Sequence, residues 1–94
     1  MSNYMKCYNV AVVGATGLVG ETMIRVLEER KFPVGELRPL ASKDSRGKKI
    51  KFRGREIQVQ ALTKKSFEGI DFALFSAGGD ISLKYAPIAA KAGA

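Results

Sequence analysis

The sequence of 94 residues contains no histidine, no tryptophan and a single cysteine, Cys7. Without histidine, the chain cannot form a Ser-His or Cys-His catalytic pair or a histidine metal site. One cysteine can form neither a thiolate zinc cluster nor an internal disulfide, which is typical of a protein in a reducing compartment. If the protein is an enzyme, most of its reactive groups therefore belong to a cofactor or to residues outside this chain.

Long apolar runs are also missing. No window of about 18 consecutive apolar residues exists, which excludes a membrane-spanning helix. The amino terminus has one early lysine, Lys6, followed by a short apolar run that glycines interrupt, and this is a poor secretory signal. We therefore expect a cytoplasmic protein with no membrane partner, and the length allows one domain at most.

Acidic residues are scarce in one segment only. The net charge is +7, from 16 basic and 9 acidic residues. Seven of the basic residues lie in residues 43–55 (KDSRGKKIKFRGR), where Asp44 is the one acid, so this basic segment has a local charge of +6. Nucleic-acid binding is an alternative function for it. We expect no nucleic-acid partner, because its single aromatic residue, Phe52, points inward by alternation.

The apolar pattern alternates between strands and helices. Tyr8–Val13 is a nearly continuous β-branched run, which predicts a strand buried on both faces. Apolar residues at helical spacing predict a helix from about Leu18 to Arg30, ended by Phe32-Pro33. A second strand is expected over Leu37–Ser42.

The second half continues the alternation. Two alternating segments, residues 49–53 and 56–60, flank Gly54 and predict a hairpin. Thr63 is a candidate cap for a short helical turn through Phe67. A buried strand is expected over 71–76. A helix is expected over 80–92, either kinked at Pro87 or beginning its regular part there, with Gly93 as its carboxyl-terminal cap.

This order predicts the α/β class: a Rossmann-like parallel sheet with helices on both faces. Residues 1–94 would form one dinucleotide-binding domain. A further strand should follow the last helix, so we expect the chain to be a fragment with an incomplete sheet.

Three short segments carry the functional signals. The first is the glycine loop, residues 14–20 (GATGLVG), between a buried strand and an amphipathic helix. In this context Gly14 permits a sharp turn, Gly17 lets a pyrophosphate approach the backbone, and Gly20 lets the helix pack against the strand. Free amides at the helix start would bind the anion. The alternative is a strand-helix turn without a ligand.

The second segment follows the second strand. In NAD-binding folds, an Asp or Glu about 20 residues after the loop accepts a hydrogen bond from the ribose 2′-OH. Here that stretch is residues 40–48 (LASKDSRGK), whose serines and cations suit a 2′-phosphate. The pattern favours NADP over NAD, although Asp44 opposes a 2′-phosphate. A solvated basic loop is the alternative.

The third segment, residues 76–79 (SAGG), follows the carboxyl end of a buried strand, where ligands of open α/β sheets lie. Small residues there would leave room for a cofactor. A tight turn into the next helix explains the same residues without a ligand.

Together, the three segments resemble the N-terminal part of aspartate-semialdehyde dehydrogenases, from about Asn9 to Ala94. The resemblance is carried by AVVGATGLVGETMIRVLEER, PLASKDSRGKK and FALFSAGGDISLKYAPIAAKAG. The SAGG turn followed by APIAAKAG is far more selective than the glycine loop, which occurs in many reductases.

This resemblance implies an NADP-dependent oxidoreductase that converts L-aspartate 4-semialdehyde and phosphate to 4-aspartyl phosphate, in lysine, threonine and methionine biosynthesis. The family's enzymes are dimers or tetramers. By motif, the pyrophosphate would be held by Thr16, Gly17, Leu18 and Val19 beside Gly14. The adenosine 2′-phosphate site would include Ser42, Asp44 and Ser45. The turn beside the cofactor would be Ser76, Ala77, Gly78 and Gly79.

The chain departs from the family pattern in two ways. Many members have arginine where Asp44 stands, which weakens the expected preference for NADP. The catalytic cysteine and histidine of the family lie beyond residue 94, so we expect these residues alone to be inactive. Two alternatives remain: N-acetyl-glutamyl-phosphate reductase, which shares the thioester chemistry, and a non-catalytic nucleotide-binding module.

Overall fold

The structure, a computed structural model, describes residues 7–76 and 79–94 of the chain. Its strands are β1 (Tyr8–Val13), β2 (Val34–Ala41), β3 (Lys49–Phe52), β4 (Arg55–Gln58), β5 (Gln60–Ala61) and β6 (Phe72–Phe75). Its helices are α1 (Leu18–Glu29) and α2 (Gly79–Lys91), and a 3₁₀ turn, Lys43–Ser45, follows β2.

Four strands form a parallel sheet in the order β5-β2-β1-β6. In the register of the sheet, Val10 of β1 lies between Leu37 of β2 and Phe72 of β6. The chain first adds β2 and β5 on one side of β1 and later adds β6 on the other. The carboxyl ends of β1 and β6 therefore form a topological switch point, where open α/β sheets bind ligands.

Each face of the sheet is covered by one helix. Val10 and Val12 of β1 pack with Ile24 of α1 on the first face, and the β3–β4 hairpin covers that face through Phe52. Ala11 and Val13 point to the second face, where Leu40, Phe67 and Ala89 of α2 complete a separate cluster. Both expected layers are present, so the α/β Rossmann-like prediction is confirmed.

The hairpin follows the predicted alternation. Ile50 faces Ile57 across it, and Phe52 is buried while Lys49 and Lys51 are exposed. Arg53 and Gly54, with φ of 53° and 79°, form the turn, and two positive φ angles are typical of a tight hairpin. The inward direction predicted for Phe52 is confirmed.

Two predicted boundaries, the start of β2 and the end of the second hairpin segment, were wrong. β2 begins at Val34, three residues before the predicted start at Leu37, because Val34 pairs with Tyr8. The chain leaves the hairpin after Gln58 and enters the main sheet as β5, whose two residues pair with Leu40 and Ala41. β5 has only two residues, which is too short to show the apolar-polar alternation by which a strand is recognised in a sequence.

The predicted helical turn from Thr63 to Phe67 is instead a series of turns. Ser66 Oγ accepts a hydrogen bond from Thr63 N at 2.8 Å, and Lys65 N donates to Thr63 Oγ1 at 3.2 Å. Thr63 thus makes the capping contacts predicted for it, but the segment continues as separate turns closed by bonds between residues three apart, and no regular helix follows. The turns bury Phe67 completely, which contributes roughly 1.5–3 kcal/mol.

Helix α2 is continuous through Pro87, so its regular part does not begin at the proline. The predicted cap at Gly93 is confirmed. Its φ is 103°, Gly93 N donates to Ala90 O, and Ala94 N donates to Ala89 O, as in a Schellman motif. No helix within the described residues is long and apolar enough to cross a membrane.

Candidate functional site

The glycine loop is held against the sheet by backbone hydrogen bonds. Gly14 has a φ of 86°, a left-handed conformation that favours glycine. The amides of Gly14 and Ala15 both donate to Leu40 O of β2, at 2.8 and 3.1 Å. Gly17 N donates to Gly14 O at 3.1 Å and closes the turn. The loop thus leaves β1 sharply and delivers the chain to the start of α1.

Gly17 and Gly20 stand in different surroundings. A Cβ on Gly20 would lie 2.1 Å from Gly14 O and 2.9 Å from Ala15 Cα, so only glycine allows α1 to pack this closely on the loop. A Cβ on Gly17 would meet nothing nearer than Gly14 O at 3.5 Å, an ordinary contact. Gly20 is therefore required by packing within the chain, whereas Gly17 leaves open space at the surface.

The amino end of α1 presents unused donors. Gly17 is the N-cap of α1. Glycine has no side chain, and no side-chain hydrogen bond caps this end of the helix. Among the described residues, the amides of Thr16, Leu18, Val19 and Gly20 donate no hydrogen bond to a backbone or side-chain acceptor. Leu18 and Val19 are also strongly exposed. Unpaired amides at a helix start, together with the helix dipole, suit an anion such as a phosphate.

A cleft of about 350 Å³ opens beside the loop, at the carboxyl ends of β1, β2 and β5. Its lining is Val13, Gly14, Thr16, Ala41, Ser42, Leu62, Ile81 and Tyr85. Apolar groups form most of the walls, and the hydroxyls of Thr16, Ser42 and Tyr85 are the polar side-chain groups of the described lining. A cleft of this size with few polar groups is typical of a small-molecule site.

The turn formed by residues 42–46 begins at the rim of this cleft, which Ser42 lines. Ser42 and Asp44 are exposed, and Ser45 is half-buried beneath Thr16, whose Oγ1 donates to Ser45 Oγ at 3.4 Å. The described residues place no cation within ion-pair distance of Asp44. The charges of the turn therefore face solvent and are available to a ligand on the rim.

The end of β6 approaches the glycine loop from the other side. Ser76 is half-buried, and its Oγ lies 2.8 Å from Val13 O and 3.1 Å from Gly14 O. Gly79 is the exposed first residue of α2. The predicted site residues Ala77 and Gly78 lie outside the described residues.

The structure thus brings Gly14, Thr16 and Ser42 together in one cleft and places Gly17, Leu18 and Val19 next to it. Sequence reasoning missed the apolar walls. Ala41 ends β2 and pairs with Ala61, and Leu62 directly follows β5, while Ile81 and Tyr85 share a helix face at a spacing of four. That spacing was visible in the sequence, but it predicts only a packed face and does not distinguish a core from a ligand wall.

Residues 9–94 match the model of the semialdehyde dehydrogenase NAD-binding domain. The chain belongs to this family. Among curated members, the semialdehyde dehydrogenase domain of this chain is 55% identical over 86 residues to aspartate-semialdehyde dehydrogenase 2 of Vibrio cholerae, covering 92% of the chain and 26% of that relative. It is 59% identical over 87 residues to aspartate-semialdehyde dehydrogenase of Aquifex aeolicus, with the same coverage of both chains.

Solved structures of the family agree. The crystal structure of aspartate semialdehyde dehydrogenase II from Vibrio cholerae, complexed with ASA, superposes with a TM-score of 0.90 at 53% identity. The match covers 94% of this chain and 29% of that one. This semialdehyde dehydrogenase domain therefore spans about a quarter of the length of the relatives it matches.

Proposed function

We propose that this chain is the NADP-binding part of an aspartate-semialdehyde dehydrogenase. The observation that carries the proposal is the family match over residues 9–94, together with a TM-score of 0.90 at 53% identity to an enzyme of that name. The match to an NAD-binding domain supports a nicotinamide dinucleotide as the ligand, and the geometry of the glycine loop supports a bound pyrophosphate.

The residues of the loop fit a dinucleotide. The unpaired amides of Thr16, Leu18 and Val19 would donate to the pyrophosphate oxygens. The open space above Gly17, which a side chain would fill, gives the anion close access to the backbone. This part of the site is made of backbone groups, so its strength depends on the shape of the loop.

The cleft fits the adenosine half. Its apolar walls, among them Leu62 and Tyr85, suit an adenine ring, and Ser42 stands at the rim where a ribose would lie. Ser42 and Ser45 would donate hydrogen bonds to a 2′-phosphate. Lys43 and Arg46, both exposed on the same turn, add positive charge, and Asp44 opposes it.

The role of these residues in the reaction is binding and orientation. A bound nicotinamide would supply the hydride acceptor for oxidation of the aldehyde. Cys7 is exposed on the amino-terminal side of β1, whereas the cleft lies at the carboxyl end of that strand, so its thiol is not placed to attack a substrate there. We propose that aspartate semialdehyde and phosphate bind to other residues of a longer enzyme, which acts in the cytoplasm as a homo-oligomer.

Binding and turnover can be tested separately. The purified 94-residue chain should be titrated with NADP and, separately, with NAD in a calorimeter. We expect it to bind both, with a lower dissociation constant for NADP. The complete product of the gene should form NADPH from L-aspartate 4-semialdehyde in a phosphate-dependent manner, whereas the 94 residues alone should not. Phosphate-dependent NADPH formation by the 94-residue chain would show that our assignment of its residues to binding alone is wrong.

The same assay distinguishes the alternatives. Activity of the complete gene product with N-acetyl-glutamate semialdehyde in place of aspartate semialdehyde would indicate the related reductase. Binding of NADP without turnover of either aldehyde would indicate a non-catalytic nucleotide-binding module.

A further inference from the structure

The hydroxyl of Ser76 contacts the glycine loop and does not line the cleft. Its Oγ lies within donor range of two backbone carbonyl oxygens, Val13 O at 2.8 Å and Gly14 O at 3.1 Å. Ser76 follows β6, whereas Val13 is the last residue of β1 and Gly14 is the next residue, so the contact spans the switch point between two neighbouring strands. A hydroxyl placed for ligand binding alone would not need to lie between two main-chain oxygens.

The carbonyl oxygen of Gly14 is contacted by several parts of the loop and by Ser76. It accepts a hydrogen bond from Gly17 N at 3.1 Å, and it lies so close to Gly20 that a Cβ there would come within 2.1 Å of it. The direction of this carbonyl sets the plane of the Gly14–Ala15 peptide. The amides of Thr16, Leu18 and Val19 come within the next few residues of the chain. The direction in which their N–H groups point therefore depends on the orientation of the Gly14–Ala15 peptide.

From this arrangement we propose that Ser76 is a positioning residue for the phosphate-binding loop. Its hydroxyl holds the carbonyls of Val13 and Gly14 from the neighbouring strand, and thereby keeps the unpaired amides at the start of α1 directed at the anion. The inference rests on the proposed NADP-binding function of the loop, and it assigns Ser76 to the orientation of the loop before any ligand is present.

The backbone of Ser76 allows the hydroxyl to be tested alone. Ser76 N donates to Val13 O at 2.9 Å and continues the pairing of β6 with β1. Ser76→Ala keeps this bond and removes only the hydroxyl contacts. Ser76→Thr keeps a hydroxyl on the same atom and is the conservative variant.

The test compares two ligands by calorimetry on the purified protein. In the proposed site, NADP would contact the loop through its pyrophosphate. Adenosine 2′-monophosphate has no pyrophosphate and would not make this contact. Ser76→Ala should weaken NADP binding by about fivefold, the size expected for one lost neutral hydrogen bond. It should leave binding of adenosine 2′-monophosphate within about twofold, and Ser76→Thr should restore NADP binding.

Amide hydrogen exchange without ligand supplies a second measurement. Exchange at Gly17 N, which donates to Gly14 O, should be faster in Ser76→Ala than in the wild type. The matched control is Ser66→Ala, because Ser66 Oγ accepts from Thr63 N in a turn outside the loop. This control should lower the melting temperature without changing the ratio of the two dissociation constants.

The outcomes separate this proposal from the proposed function. A wild type that binds no NADP would overturn both. If the wild type binds NADP but Ser76→Ala binds it equally well, only the positioning role is wrong. It is also wrong if both ligands weaken equally, or if NADP weakens while exchange at Gly17 is unchanged, since Ser76 would then act through the fold or on the ligand directly.

Discussion

The glycine loop and the turn formed by residues 42–46 lie at the same edge of the sheet, but they are fixed by different means. The loop is tied by main-chain bonds to Leu40 and packed so tightly that Gly20 admits no Cβ. The turn is mostly exposed, and one side-chain contact, Thr16 Oγ1 to Ser45 Oγ at 3.4 Å, is the link to the loop that the described residues show.

This difference separates two properties of the proposed site. Binding of a pyrophosphate at the loop would depend on backbone shape, which few substitutions can preserve. Discrimination at the 2′-position depends on exposed side chains, which can change without disturbing the fold. The loop should therefore respond to mutation through stability and loss of binding, and the turn through the ratio of two affinities.

The largest effect should come from Gly20→Ala. The added Cβ would lie 2.1 Å from the main-chain oxygen of Gly14, so either the loop or α1 must move. We expect a loss of about 3 kcal/mol of unfolding free energy, the upper range for overpacking. Urea denaturation measures it, and Gly17→Ala is the matched control, expected to change stability by less than about 1 kcal/mol. Equal losses in the two variants would contradict the difference between these glycines.

Gly17→Val should abolish cofactor binding while the fold persists. The valine side chain would fill the space through which a pyrophosphate reaches the amides of Thr16, Leu18 and Val19. Its backbone angles, φ −83° and ψ 167°, are extended and accessible to valine. We expect at least about a hundredfold loss of NADP affinity, close to 3 kcal/mol, with an unchanged circular dichroism spectrum. Wild-type affinity in this variant would show that the pyrophosphate does not bind at the loop.

Asp44→Arg should act on the turn alone. The exposed carboxylate would repel a 2′-phosphate, and an arginine would instead donate a charged hydrogen bond worth roughly 1.5–3 kcal/mol. NADP should bind about tenfold tighter, with NAD nearly unchanged. The ratio of the two dissociation constants at one ionic strength measures this. An unchanged ratio would place Asp44 outside the ribose site, and a wild type that prefers NAD would mean that Asp44 outweighs the cations around it.

The smallest effect should come from Lys51→Gln in the hairpin. Lys51 is exposed on β3, which covers the α1 face of the sheet, whereas α2 and the cleft lie on the other face. Its charge is therefore screened from the cofactor. NADP affinity should change by less than about twofold at physiological salt, as read by the same calorimetric titration. A larger change would mean that the whole basic segment, and not the turn, attracts the 2′-phosphate.

The sequence predicted well those parts of the fold that are determined by a local pattern of residues. β1 was predicted to the residue because its β-branched run can only be buried on both faces, and α1 to within one residue because glycines and Pro33 bound it. β5 was missed because its pairing with β2 depends on where the hairpin returns the chain, which no local pattern encodes.

The candidate site divides in the same way. The glycine loop was predictable because the spacing of its glycines reflects backbone geometry. The cleft walls at Leu62, Ile81 and Tyr85 were not, because they come from separate elements that meet only after the sheet forms. The contact of Ser76 with Gly14 has the same origin, since it joins residues 62 positions apart.

The position of β1 has a consequence for how the chain folds. Among the strands that the structure describes, β1 is the first to be synthesised, yet it lies inside the sheet, and β6, its neighbour on one side, ends at Phe75. Asn9 fastens the two strands at their start, with its N–H donating to the Asp71 carboxylate at 2.8 Å and its Nδ2 to Gly69 O at 2.9 Å. Pairings this distant along the chain slow folding because a long loop must close first. During synthesis, we therefore expect one edge of β1 to stay unpaired by β6 until β6 has been made, and the contact of Ser76 with the glycine loop to form in the same late step.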